Sequence, residues 1–183
     1  MKTSIDVILR EYDLALLEKN YDRISILVEG SKKLNRICSR INKLTNGSIL
    51  KAISSKEFEK KSCGDVLTLS FPGGIHAKYL DLVKWSNLGK PNDARKAGVN
   101  LAKNSNNSKV LVCCDVQKYS KELITGYLLR RYEFSQYKTI ENKGLGSLTL
   151  MLKNPKDFEK PLSEIKAMVD GVFFYKELSE RTR

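Results

Sequence analysis

Lys109-Val110-Leu111-Val112-Cys113-Cys114-Asp115 is the stretch on which the fold turns. It is apolar between its charged ends, as a strand buried on both faces of a sheet must be. Before it, Pro91 stands where a helix begins, and Ala94, Ala97, Gly98, Leu101 and Ala102 give that helix a small-residue face able to lie close on a sheet. Asn104 to Ser108 is a polar turn. After it, Tyr119 to Tyr132 reads as a helix with Leu123, Ile124, Tyr127, Leu128 and Arg131 in register. Helix, central strand, helix is the grammar of a parallel α/β sheet.

The same alternation extends outward. Ser4–Leu9 and Ile24–Val28 read as strands, and Glu29-Gly30 ends the second. Ser31 is positioned to cap a helix running to Leu44. Its apolar stripe is Leu34, Ile37, Cys38, Ile41 and Leu44, and Asn46-Gly47 stops it. Ser54 to Lys61 is a short helical or irregular piece. Val66–Phe71 and Lys78–Trp85 read as strands separated by Pro72-Gly73-Gly74. Ser147–Leu152 alternates as a strand, and a long helix starts at Asp157 with Leu162, Ile165, Val169, Val172 and Phe173 on one stripe. The expected class is α/β, a layered mixed or parallel sheet with helices on both faces. Residues 1–153 form the domain, and residues 154–183 a terminal or linker helix.

Composition narrows the chemistry. The 183 residues include 41% hydrophobic and 30% charged residues, as in a soluble globular protein. No apolar run approaches the ~20 residues of a membrane span, and Asp6 interrupts the start too early for a secretory signal. The expected compartment is cytoplasmic, with no membrane partner. A single histidine, His76, excludes a two-histidine zinc site within the chain. Cys38, Cys63, Cys113 and Cys114 form no Cys-x-x-Cys pair, so they read as small buried hydrophobes in a reducing cytosol.

The glycine pairs are weak candidates for phosphate loops. Gly144-Leu145-Gly146 precedes a strand instead of a helix, and Pro72-Gly73-Gly74 lacks the Lys-Ser/Thr of a P-loop, so both read as turns. Asp115 ends the central strand, a place for a ligand group or for a cap. Charge is more telling. The net charge is +12, and residues 31–61 hold nine Lys and Arg against Glu57 and Glu59, a local net of +7. Lys32, Lys33, Arg36, Arg40 and Lys43 share the outer face of the first helix, a candidate surface for nucleic acid or another polyanion, or a solvated face. Phe58 is the only aromatic there, so base stacking has little to work with. In the last helix, Val172-Phe173-Phe174-Tyr175 is too wide an apolar run for a single stripe, so some of these residues need another surface, either the domain core, a second domain or a partner chain.

Four stretches together resemble the N-terminal domain of the leucyl aminopeptidase, or cytosol aminopeptidase, family. They are residues 78–90, similar to its hydrophobic strand and Gly-Leu-Gly-Lys turn with Ser86-Asn87 in place of the first Gly; residues 93–98, similar to its small-residue helix; residues 126–139, matching Gly-x-x-Leu-x-x-Tyr-x-Phe-x-x-Tyr-Lys; and residues 171–178, similar to the helix leading into the catalytic domain. The resemblance implies a macro-domain-like fold, and by analogy with that fold alone a nucleotide or ADP-ribose site near Pro72–Gly74 and Asp115. It also implies a parent enzyme that releases N-terminal amino acids from peptides with two divalent metals, manganese or zinc, as a cytoplasmic hexamer.

The family's catalytic motif, Asn-Thr-Asp-Ala-Glu-Gly-Arg, does not occur in these residues. No catalytic residue, metal ligand or cofactor is therefore expected in this chain, which reads as an excised domain or a truncated gene product. The expected role is that of a non-catalytic domain serving packing, assembly or substrate access. Phe173, Phe174 and Tyr175 would face the missing catalytic domain or another copy of the homo-oligomer. The alternative is a polyanion-binding module built on residues 31–61.

Overall fold

The computed structural model describes residues 5–30, 34–86, 88–105, 107–114, 119–131 and 146–181. The strands are β1 (Asp6–Glu11), β2 (Arg23–Glu29), β3 (Val66–Ser70), β4 (Tyr79–Trp85), β5 (Lys109–Cys113) and β6 (Ser147–Leu152). The helices are α1 (Arg36–Leu44), α2 (Ser48–Ile53), α3 (Lys56–Glu59), α4 (Pro91–Asn104), α5 (Ser120–Arg131) and α6 (Lys156–Arg181). The six strands form one sheet in the order β1-β6-β5-β2-β4-β3. All neighbours are parallel except β3, which runs antiparallel to β4 at the edge. This is the expected mixed α/β sheet with helices on both faces, and β5 lies inside it with Val110, Leu111, Val112 and Cys113 all buried.

The strand period of two sorts the core into two layers. Leu27, Val83, Val110, Val112, Leu148 and Leu150 point to the side covered by α4, α5 and α6. Ile24, Ile26, Val28, Leu80, Leu82 and Leu111 point to the side covered by α1, α2 and α3. None of the four cysteines is in a disulfide, and Cys113 and Cys114 are buried on opposite layers, as small hydrophobes.

Three local findings depart from the sequence reading. First, Asn35 caps α1 instead of Ser31, its Oδ1 accepting from the Cys38 amide at 2.7 Å. Second, the helix stopped by Asn46-Gly47 restarts at once as α2. Gly47 takes the left-handed conformation (φ 83°), and the Asn42 side chain accepts from the Leu50 amide at 3.1 Å. A six-residue helix is too short to announce a period, although Ile49, Ala52 and Ile53 share its buried face. A 3₁₀ turn at Leu14–Glu18, burying Leu16 and Leu17, is silent for the same reason.

Third, the small-residue face of α4 makes its closest approach to α5, not to the sheet. A Cβ on Gly98 would fall 1.9 Å from the Leu123 carbonyl oxygen. One on Gly126 would fall 2.1 Å from the Arg95 carbonyl oxygen. The two glycines thus let each backbone enter the other helix's surface.

The boundary drawn after residue 153 falls between β6 and α6. α6 lays Phe158, Leu162, Ile165, Val169 and Phe173 into the first core layer. Its 26 residues span about 39 Å at 1.5 Å each. The six residues of β6 span about 20 Å. The helix therefore outruns its sheet, and its packed stripe ends at Phe173.

Candidate functional site

The carboxyl ends of β2, β4 and β5 form the edge where an open α/β sheet carries its ligands. The chain leaves β2 for α1 on one layer, but leaves β4 and β5 for α4 and α5 on the other. Connections reverse on both sides of β2, so this is the topological switch point. Leu27, Trp85, Ala94, Cys114, Tyr119, Ser120 and Leu123 line a tight, mostly apolar recess there. The Trp85 and Tyr119 rings lie 6.1 Å apart across it.

The glycine turn proposed as part of a nucleotide site does not lie at this edge of the sheet. Gly73-Gly74 follows β3, which runs antiparallel, so the turn sits at the edge where the parallel strands begin. β5 ends at the other edge, and Asp115 lies outside the described residues. Gly74 (φ 80°) is pressed on α1, a Cβ there falling 1.8 Å from the Leu44 carbonyl oxygen. It is a packed turn. His76 is exposed beside it. Of the other pair, Gly146 (φ 73°) is pressed on Ser108 ahead of β6, and Gly144 lies outside the described residues.

Cys63 is the least buried of the cysteines. Partial burial pushes its thiol up, and the Asp93 carboxylate adds to this, against backbone hydrogen bonds at Ser86 and Gly64 and the charge of Lys96. A thiol held protonated is a poor nucleophile.

The basic face is partly committed. Arg36 and Lys43 are exposed on α1, while Arg40 pairs with Glu18 at 3.1 Å. Lys32 and Lys33 lie outside the described residues. At the end of α6, Phe173 is 8% exposed and belongs to this chain's own core. Phe174 and Tyr175 are 65% and 73% exposed. Met168 and Val172 are exposed as well, and the spacing 168, 172, 175 puts them in line with Tyr175.

The most polar feature of the interior went unread in the sequence. Asp81, in the middle of β4, is buried and takes two hydrogen bonds from Arg23 at the start of β2, Nε at 2.9 Å and Nη2 at 2.8 Å. Thr68 donates a third at 2.6 Å and Ser25 a longer one at 3.4 Å. The Arg23 guanidinium also lies 4.3 Å from the Tyr79 ring centroid. The available signal was the isolated Asp in the apolar run Tyr79-Leu80-Asp81-Leu82-Val83, which demands a buried cation. The pair lies toward the amino edge, away from the switch point, and every carboxylate oxygen is satisfied, so it holds the sheet together.

Among the described residues no three His, Cys, Asp or Glu side chains gather to hold a metal. They do not fit the two-metal centre implied for the parent enzyme. Among the described residues no helix is long and apolar enough to cross a membrane.

No protein-family model matches the chain. A probable cytosol aminopeptidase of Dinoroseobacter shibae is 32% identical over 166 residues, covering 91% of this chain and 34% of that protein. The chain thus spans about a third of the length of the curated relatives it matches. Among solved structures, a variant of tomato leucine aminopeptidase superposes with a TM-score of 0.73 at 20% identity, over 95% of this chain and 38% of that one. A Trypanosoma brucei macrodomain in complex with ADP superposes with a TM-score of 0.60 at 13% identity, over 86% and 69%. In sequence and in its macro-domain-like fold, the chain corresponds to the N-terminal domain of the leucyl aminopeptidase, or cytosol aminopeptidase, family.

Proposed function

We propose that this chain is a non-catalytic domain that packs on the catalytic part of a metal-dependent aminopeptidase, serving assembly or substrate access. The observation that carries the reading is the outer end of α6. Phe174 and Tyr175 stand in solvent on a chain that matches only a third of its relatives' length. A helix apolar on more than one face is normally covered. Phe173 seats the helix on its own domain, and Phe174 and Tyr175 meet the catalytic part, with residues 154–183 as the connection. The divalent metals and the peptide chemistry belong to that other part.

The test is to purify the protein at its natural size from its source. N-terminal residue release from a leucyl peptide is then assayed for the wild type and for Phe174→Ser with Tyr175→Ser. The expected result is an aminopeptidase catalytic part in the same chain or complex, identified by mass spectrometry, and weakened assembly or activity in the double variant. A lone 20.8 kDa species, or a complex indifferent to both substitutions, overturns the reading.

A polyanion surface is the second reading, favoured by the exposure of Arg36 and Lys43 on one outward helix face. If it holds, DNA affinity falls steeply with salt, and Arg36→Ala with Lys43→Ala flattens the log–log slope by about 2. A salt-independent affinity rules it out.

A further inference from the structure

We propose that Trp85 is the built-in occupant of the switch-point crevice. Its indole fills the place where an open α/β sheet takes a flat heteroaromatic ligand, and this edge of the chain is a packed joint shaped for a bicyclic ring. Crevices at such points bind nucleotides because reversing connections leave a gap beyond the strand ends. Here the last residue of β4 fills that gap.

Trp85 is 5% exposed and packs with Leu27, Ala94 and Leu123 in the first core layer. The following loop is shaped to it. A Cβ on Gly89 would lie 3.1 Å from its Cζ2 and 3.3 Å from its Cε2, closer than ordinary van der Waals contact. The Tyr119 ring, tilted by 56° at 6.1 Å, lies on the far side of the crevice, within the range of favourable aromatic pairs. What stays open among the described residues has no room even for a water molecule, whereas small-molecule sites hold ~300–1,000 Å³. Among the described residues, its lining contains no charged side chain to meet a phosphate.

Trp85 is the only tryptophan in the sequence, so intrinsic fluorescence reads the plug directly. In the wild type we expect blue-shifted emission, acrylamide quenching several-fold slower than in urea, and no change of emission or Tm with ATP or NAD. In Trp85→Gly we expect a lowered Tm that indole raises again, by mass action on the folded state, while indole leaves the wild type unmoved. A response of the wild type to ATP or NAD overturns the inference, as does a folded Trp85→Gly that ignores indole. Should the variant not fold even with indole present, the wild-type measurement decides: an indole quenched as fast as in urea overturns it, and a shielded, nucleotide-indifferent one upholds it.

Discussion

At Asp81 two buried charges meet with every oxygen satisfied, and the consequence of breaking the pair differs from that of replacing it. Asp81→Ala leaves the Arg23 guanidinium uncompensated in a site where it is 6% exposed. The expected loss is about 3–5 kcal/mol, read from urea denaturation. Replacing both members, Arg23→Met with Asp81→Leu, recovers much of it, because apolar packing of similar volume matches a buried pair. Tyr127 supplies a pH signature. Burial pushes its phenol up, against the Ser105 hydrogen bond and the charges of Arg131 and Arg23. Its neutral form shares a 2.8 Å hydrogen bond with Ser105. A raised folded value means the contribution is fully present below the unfolded phenol's value of about 10 and is lost as pH rises through the folded value. The urea midpoint of the wild type therefore drops on the alkaline side, and Tyr127→Phe makes that limb shallower. An identical limb in the variant refutes the assignment.

At the scale of elements, the contact between α4 and α5 sets two rules against each other. Gly→Ala inside a helix ordinarily gains about 1 kcal/mol from propensity. At Gly98 and Gly126 the added methyl would meet a backbone carbonyl of the facing helix at 1.9 and 2.1 Å, which only a shift of the helix can relieve. Overpacking of this kind costs about 1–3 kcal/mol, so both substitutions are expected to destabilise. They report on one contact, so the double variant should lose less than the sum of the singles. A stabilised Gly98→Ala in a urea titration would show that the helices can part freely. These elements also mark the limit of legibility. Helix α4, strand β5 and helix α5 were plain because their periods run long enough to count. The partner of α4's small face was not, since small residues permit any close approach and name none. Helix α2 and the Arg23–Asp81 pair were hidden for related reasons: one is shorter than its period, and the other joins residues 58 apart in sequence through a strand pairing that composition does not reveal.

For the whole molecule, order along the chain decided architecture, because strands alternating with helices have few solutions, and the mixed sheet with two covered faces followed. Site chemistry was less legible, since candidates near each other in the argument, Gly74 and the end of β5, fall on opposite edges of the sheet. Charge and the α6 aromatics then make opposing demands on the separate chain. A net charge of +12 keeps copies apart at low ionic strength, where fields reach about 30 Å at 0.01 M salt. At 1 M the screening length is about 3 Å, and the apolar end of α6 no longer has that protection. Concentration-dependent self-association in sedimentation velocity is therefore expected to rise with salt. Phe174→Ser with Tyr175→Ser should abolish it while leaving the urea midpoint nearly unchanged, because both side chains stand outside the core. Association that falls with salt would assign the contact to charge, on the face carrying Arg36 and Lys43. Association that survives the double variant would move it away from the end of α6.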